Sequence, residues 1–160
     1  MVRLRFVYTS DPVSAVIRAY DEPHLWSHVD LMTPEGMYLG SRSDVCGGVP
    51  AGVQIRPVGY TPFDHEEIVS LPATPEQEAA FWIAARLEIG KPYDSFDLVA
   101  NFAGARDWRN ADAWWCSEYG EHCCERSGIF GPTPGGVQIV TPDSLYVRAA
   151  VVTPVRGAYA

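Results

Sequence analysis

Strand-type and helix-type segments are separated along this chain of 160 residues, and the separation limits its fold more than any other feature. Short apolar or alternating segments dominate the first half, whereas the two longest helical patterns lie in the second. The segments with strand character start near Met1, Leu25, Met37, Gly52 and Glu66. Strands grouped before helices indicate an α+β fold with an antiparallel sheet or half-barrel. No repeat or linker divides the chain, so we expect one domain over residues 1–160.

The helical segments have recognisable ends. T-P-E-Q at Thr74 has the residues of a capping box with proline in the first turn, which predicts a helix that stops before G-K-P-Y-D. A second helix should begin near Trp115 or Cys116 and end near Gly128, where glycine can terminate it. We also expect a short helix within residues 11–20 and a closing strand over Val147 to Val152.

Composition and charge limit the partners of the protein. The chain has 12 Lys and Arg against 20 Asp and Glu, a net charge of −8, which argues against binding to nucleic acid or anionic membranes. It has no apolar run near the roughly 20 residues needed to span a bilayer, and its N-terminus lacks a signal-peptide pattern. We therefore expect a soluble cytoplasmic protein with free thiols. No sequence feature selects an oligomeric state.

Three of the four cysteines lie in W-W-C-S-E-Y-G-E-H-C-C, from Trp114 to Cys124. A metal site there is disfavoured, because neighbours on a helix point about 100° apart and no second ligand pair exists. We expect neither a metal nor another cofactor. Cys116, at the first turn, is where unpaired N–H groups and the helix dipole favour a thiolate nucleophile. Packing in the core is the alternative for Cys116, and it is the simplest role for the two later cysteines.

A thiol nucleophile needs an imidazole to accept and return its proton. His28 lies in the first residues of an apolar strand, a rigid element, and shares one face of it with Asp30, which could affect the pKa of the ring. His24 lies in a loop, His65 lies among acidic residues, and His122 should point away from the first turn of its helix. A half-buried structural histidine is the alternative for His28.

Four motifs together resemble a known superfamily. W-S-H-V-D-L-M with the returning M-Y-L-G-S resembles the histidine hairpin of NlpC-type papain-like peptidases. G-K-P-Y-D resembles their G-x-P-Y element, W-W-C-S-E-Y the start of their nucleophile helix, and T-P-D-S-L a turn near their C-terminus. The histidine precedes the cysteine here, as in the circularly permuted, YiiX-like branch. The resemblance covers about residues 9 to 146.

The resemblance implies a papain-like fold in which a helix carrying Cys116 packs against a sheet carrying His28. It implies attack on an amide, ester or thioester through an acyl-enzyme. A third, polar residue should orient the imidazole from the return strand near Gly40, where Ser41 is the nearest candidate. Asp44 and Gln54 are alternatives if the register shifts by one residue.

The resemblance also places Tyr93 near the nucleophile, where it could contribute to the oxyanion site. Trp115 and its neighbour Trp114 could line an acyl pocket. The predicted function is a cysteine peptidase or amidase acting on a peptide or acyl-amide substrate, with cell-wall peptides as one candidate. The alternatives are an inactive papain-like binding module and a lipid-directed acyl hydrolase or transferase.

Overall fold

The computed structural model of the chain describes residues 1–10, 14–15, 18, 25–94, 112–137 and 140–153. The short helix expected within residues 11–20 lies mostly outside the described residues. No helix in the described part of the chain is both long and apolar enough to cross a membrane.

The fold is α+β, with a five-stranded open antiparallel sheet and, in the described ranges, three helices. The spatial order of the strands is β4-β3-β2-β1-β5, so the strand that starts with His28 is central. The strands are β1 (Val2–Tyr8), β2 (His28–Met32), β3 (Tyr38–Arg42), β4 (Gly52–Arg56) and β5 (His65–Leu71). The helices are α1 (Pro75–Leu87), α2 (Cys116–Arg126) and α3 (Pro142–Val152). The prediction of an α+β chain with strands before helices is confirmed.

One face of the sheet and the three helices enclose the apolar core. The pairing of Leu4 with Leu31, and of Leu31 with Leu39, puts these side chains on the same face in three adjacent strands. All three are essentially inaccessible to solvent, and each such burial contributes roughly 1.5–3 kcal/mol. This apolar layer holds β2 and β3 in the register that the site needs.

Helix α2 lies across β2 and β3, between α1 and α3. Gly120 permits this approach, because a Cβ there would lie 3.0 Å from the Leu145 side chain and 3.8 Å from that of Val29. The Tyr119 hydroxyl donates to the Ala85 carbonyl at 2.9 Å and joins α2 to α1. Both β2 and α3 therefore pass close to α2 at Gly120.

The predicted closing strand is wrong, because residues 142–152 form helix α3. Thr141 accepts a hydrogen bond from the Ser144 N–H, and the Ser144 side chain accepts one from the Thr141 N–H, which completes a capping box. Leu145 and Ala149 then face the core four residues apart. The cap and this packing outweigh the strand preference of the valines in the segment. The capping box at Thr74 is confirmed by the same pair of bonds in α1.

Candidate active site

Cys116 is the first residue of α2 and only 3% of it is exposed. The residue before it, Trp115, takes the N-cap position in an extended conformation with φ −93° and ψ 171°. Tryptophan has no side-chain oxygen and cannot cap the N–H groups of the first turn. The positive end of the helix therefore lies directly at the sulfur, as expected for a stabilised thiolate.

His28, the first residue of β2, contacts this sulfur. Its ring hydrogen-bonds the Cys116 thiol, and the Val29 backbone adds a second hydrogen bond to the sulfur. Burial alone raises the pKa of Cys116, but the hydrogen bond and charge of His28 outweigh it, so the pKa lies below that of an ordinary thiol. Burial lowers the pKa of His28, but Asp30 and the thiol outweigh it, so this pKa is raised. Both directions favour a thiolate paired with an imidazolium.

Asp30 holds the other side of the ring. Its Oδ1 lies 2.9 Å from Nε2 of His28, which leaves Nδ1 as the ring nitrogen for the thiol. Asp30 is fully buried, and burial alone would raise its pKa. The charge and hydrogen bond of His28, with help from Tyr60 and Arg5, instead lower that pKa to about 2. Asp30 is therefore a carboxylate throughout the neutral range.

Ser41 does not contact the imidazole in the structure, and this corrects the expected source of the orienting group. The pairing of Leu31 with Leu39 places Ser41 on the face toward α2, whereas His28 and Asp30 project from the opposite face. The Ser41 hydroxyl donates to the Trp114 carbonyl at 2.5 Å. It therefore anchors the chain two residues before Cys116.

The two alternative residues for the orienting role also have other partners. Asp44 accepts two hydrogen bonds from the Arg42 guanidinium, at 2.5 and 2.8 Å. The Gln54 amide donates to the Pro50 carbonyl. The contact with the ring thus comes from the strand that carries the histidine itself.

Gly40 explains how a residue of β2 can take this place. Gly40, on β3, lies beside Asp30, on β2, and a Cβ at position 40 would lie 2.5 Å from Oδ1 of Asp30. Real Cβ atoms do not approach a neighbour so closely, so any other residue would displace the carboxylate. The return strand leaves a space, and Asp30 fills it.

A cavity of about 240 Å³ opens onto the Cys116–His28 pair. Its walls combine hydroxyl groups, two aromatic rings, one arginine and one carboxylate. The lining residues are Thr9, Ser14, Ser27, His28, Arg42, Ser43, Asp44, Phe63, Tyr93 and Cys116. The structure therefore brings Tyr93, His28 and Cys116 together around one space. Trp115 is not among the lining residues; it is buried at the N-cap of α2.

Backbone pairing positions Tyr93 beside the segment that precedes Cys116. Residues Tyr93 and Trp114 form a parallel bridge, with the Asp94 N–H donating to the Trp114 carbonyl at 3.2 Å. The Trp114 N–H donates to the Pro92 carbonyl at 3.1 Å. Burial raises the pKa of Tyr93, and the charge of Cys116 adds to this, so its hydroxyl stays a proton donor.

The T-P-D-S-L motif also supports the site from a distance. The Asp143 carboxylate, in the first turn of α3, accepts the Leu25 N–H at 3.0 Å and the Trp26 N–H at 3.2 Å. Asp143 is only 1% exposed, so these bonds are formed away from solvent. They hold the chain immediately before His28.

His65 and His122, the other histidines in the described residues, do not line the cavity. The His122 ring packs against the Trp114 ring at 4.6 Å, on the side of α2 toward α1. The His65 ring stacks on Trp26 at 5.5 Å. His24 lies outside the described residues.

The remaining cysteines differ from Cys116 in their surroundings. Cys123 and Cys124 are fully buried, and burial raises the pKa of both. Cys46 is partly exposed in the loop after β3, and all four cysteines are free thiols as expected. The prediction that Cys123 and Cys124 pack in the core is confirmed.

Within the described ranges, no group of three or more His, Cys, Asp or Glu side chains is arranged to hold a metal ion. Comparisons of the chain with protein-family models, with curated proteins and with solved structures gave no significant match.

Proposed function

We propose that this protein is a thiol hydrolase of the papain type that cleaves an amide or ester bond through an acyl-enzyme on Cys116. The observation that carries the proposal is the contact between a thiol at a helix start and an imidazole held by a buried carboxylate. Thiol nucleophiles activated by a neighbouring base use this combination of groups. The proposed substrates are peptides or other acyl-amides, and the proposed location is the cytoplasm.

In the first half of the reaction the Cys116 thiolate attacks the substrate carbonyl and forms an S–C bond. The backbone N–H of Cys116 belongs to the first turn of α2, where N–H groups have no carbonyl partner within the helix, and it stabilises the oxyanion. Tyr93 lines the same cavity, and its hydroxyl is a second candidate donor. His28, as imidazolium, protonates the leaving amine or alcohol when the C–N or C–O bond breaks.

In the second half, water attacks the thioester while neutral His28 takes its proton. The S–C bond then breaks, the carboxylic acid leaves with Cys116 restored as a thiolate, and the proton taken from water stays on His28 as the imidazolium of the pair. Asp30 stabilises the imidazolium at both stages and keeps its ring oriented. The cavity of about 240 Å³ is smaller than the pockets of drug-sized ligands, roughly 300–1,000 Å³, and suits one small acyl group or one residue of a longer chain.

The test uses activated esters and peptide anilides with intact-mass detection of the acyl group on the protein. We expect a p-nitrophenyl ester to give a burst of p-nitrophenolate and a transient adduct on Cys116. Cys116→Ala should abolish both, His28→Ala should slow both, and Cys46→Ala serves as the control. An adduct that forms and never hydrolyses would indicate a binding module. Equal acylation of parent and Cys116→Ala would contradict the proposal.

A further inference from the structure

The second oxygen of the Asp30 carboxylate has its own partners, beyond the imidazole. The Tyr60 hydroxyl donates to Oδ2 at 2.9 Å, and Nη1 of Arg5 donates to the same oxygen at 3.3 Å. The Tyr60 oxygen in turn lies 3.2 Å from Nη1 of Arg42. Both carboxylate oxygens are thus held: Oδ1 by the His28 ring, and Oδ2 by the Tyr60 hydroxyl and the Arg5 guanidinium.

The chemistry of these groups fixes the direction of each bond. A guanidinium only donates and a carboxylate only accepts. The Tyr60 oxygen must therefore accept from Arg42, and its single proton must point to Asp30. Burial, with the nearby Asp30 charge, raises the pKa of Tyr60, which keeps that proton in place.

Arg42 links this arrangement to the substrate cavity, which it lines together with Asp44. Its Nε and Nη2 atoms pair with the Asp44 carboxylate. This pairing fixes the orientation of the guanidinium and so keeps Nη1 directed at Tyr60. A continuous series of hydrogen bonds runs from the cavity wall to the thiol. Its members are Asp44, Arg42, Tyr60, Asp30, His28 and Cys116.

We propose that Tyr60 is a positioning residue for the reaction proposed above: its hydroxyl fixes the Asp30 carboxylate so that Oδ1 stays on Nε2 of His28. Without that hydroxyl only the longer Arg5 bond, at 3.3 Å, holds Oδ2, so the carboxylate can rotate about its Cβ–Cγ bond and holds the ring less firmly with Nδ1 toward the sulfur. Tyr60 touches neither the thiol nor the imidazole directly. It acts through Asp30, and the inference rests on the proposed function.

Other charged groups lie near Asp30 and Tyr60, and a Tyr60 variant leaves their charges unchanged. Arg5 on β1 lies between the Tyr38 ring at 4.2 Å and the Phe63 ring at 4.4 Å, and also pairs with Glu66 on β5. Arg56 on β4 lies 5.6 Å from the Tyr60 ring. These charges remain when only the Tyr60 hydroxyl is removed, so Asp30 keeps a counter-charge.

Tyr60→Phe is the direct test, because the phenylalanine ring can keep the contacts with Tyr38 at 6.1 Å and Phe63 at 5.8 Å. Tyr38→Phe is the matched control, since it also removes one hydroxyl from this aromatic group but none from the hydrogen-bond series. Two readouts are taken: the iodoacetamide rate of Cys116 against pH, and, in a Cys116→Ser background at a pH where the ring is neutral, the ¹⁵N shifts of the His28 ring, which report its tautomer. Circular dichroism and the melting temperature verify that each variant is folded.

We expect Tyr60→Phe to slow Cys116 at pH 6 by roughly tenfold or more, the size that loss of one hydrogen bond to a charged group produces. In the Cys116→Ser background the neutral His28 ring of Tyr60→Phe should show a mixture of tautomers, whereas the ring with Tyr60 intact, with or without Tyr38→Phe, holds its proton on Nε2. Arg42→Leu, which keeps the hydroxyl but removes the donor that directs it, should change both readouts in the same direction. This variant also tests the proposal should Tyr60→Phe fail to fold.

A folded Tyr60→Phe with the parent rate and a single tautomer would overturn the role of Tyr60 and leave the proposed function intact. A parent whose Cys116 rate does not depend on His28 would overturn the proposed function, and the role of Tyr60 with it. The two failures are therefore distinguished in the same experiment.

Discussion

Asp30 and Gly40 lie side by side on neighbouring strands, and the Asp30 carboxylate occupies the space that a side chain at position 40 would need. A Cβ on Gly40 would lie 2.5 Å from Oδ1, the oxygen that contacts His28. The orienting carboxylate of the site is therefore permitted by a missing side chain on the adjacent strand.

Gly40→Ala should consequently damage the site more than its size suggests. The methyl group must displace a carboxylate that His28, Tyr60 and Arg5 all hold, at a cost of about 1–3 kcal/mol for an overpacked interior. We expect slower alkylation of Cys116 at pH 6 in a folded protein. Gly131→Ala is the control, because nothing lies within 4 Å of a Cβ there. Equal effects of the two variants would contradict the relationship.

Asp30→Asn should lower the pKa of His28. The carboxylate raises this pKa against the effect of burial, so removing its charge leaves burial to dominate. A fall of about 1–3 pH units is the usual size for one close opposite charge. NMR titration of the ring in a Cys116→Ser background measures it without the thiol. A His28 pKa unchanged by Asp30→Asn would refute the contact.

Ser41→Ala should behave differently, because Ser41 holds the Trp114 carbonyl rather than the ring. We expect the free energy of unfolding to fall by about 1 kcal/mol, since the same carbonyl still accepts the Asp94 N–H. The His28 pKa should stay at the value of the Cys116→Ser background. A shift as large as that of Asp30→Asn would restore Ser41 as the orienting residue.

Stability in acid should depend on Asp30. Its pKa is about 2 in the folded chain, against 3.8 normally, so the carboxylate stabilises the fold above pH 4. That contribution, about 2 kcal/mol, is lost as the pH falls through 2. Urea unfolding of parent and Asp30→Asn should therefore give a stability difference that shrinks by this amount from pH 5 toward pH 2. A constant difference would show that Asp30 has an ordinary pKa.

Much of the fold could be predicted from local signals. The capping box at Thr74 and the strand pattern around His28 depend on neighbouring residues. The helix begins where expected, and the strand forms but begins at His28, three residues after its expected start at Leu25. The prediction of a closing strand was wrong because it relied on the strand preference of the valines. T-P at Thr141 has the same helix-start pattern as T-P at Thr74. Residues 142–152 become a helix once Leu145 and Ala149 reach the core.

The site could be predicted in part. The helix start indicated Cys116, and the strand indicated His28, but the orienting residue depended on which side chain fills a space between strands. In the sequence, Gly40 indicates only that the return strand lacks an orienting side chain. In the structure, the absence of a Cβ at Gly40 leaves space for the Asp30 carboxylate. Tyr60 and Arg5 carry no local pattern, because strand pairing and a loop bring them to Asp30 from distant parts of the chain.

The central claim is that Cys116 and His28 form a reactive thiolate–imidazolium pair. The most direct measurement is the alkylation rate of each cysteine against pH, mapped by mass spectrometry, in the parent and in His28→Ala. We predict that Cys116, reached through the cavity, reacts well below the free-thiol pKa of about 8.5 and faster than Cys46, and that His28→Ala removes this advantage. Buried Cys123 and Cys124 should stay unlabelled in the folded protein. A Cys116 no faster than Cys46, or indifferent to His28, would contradict the account.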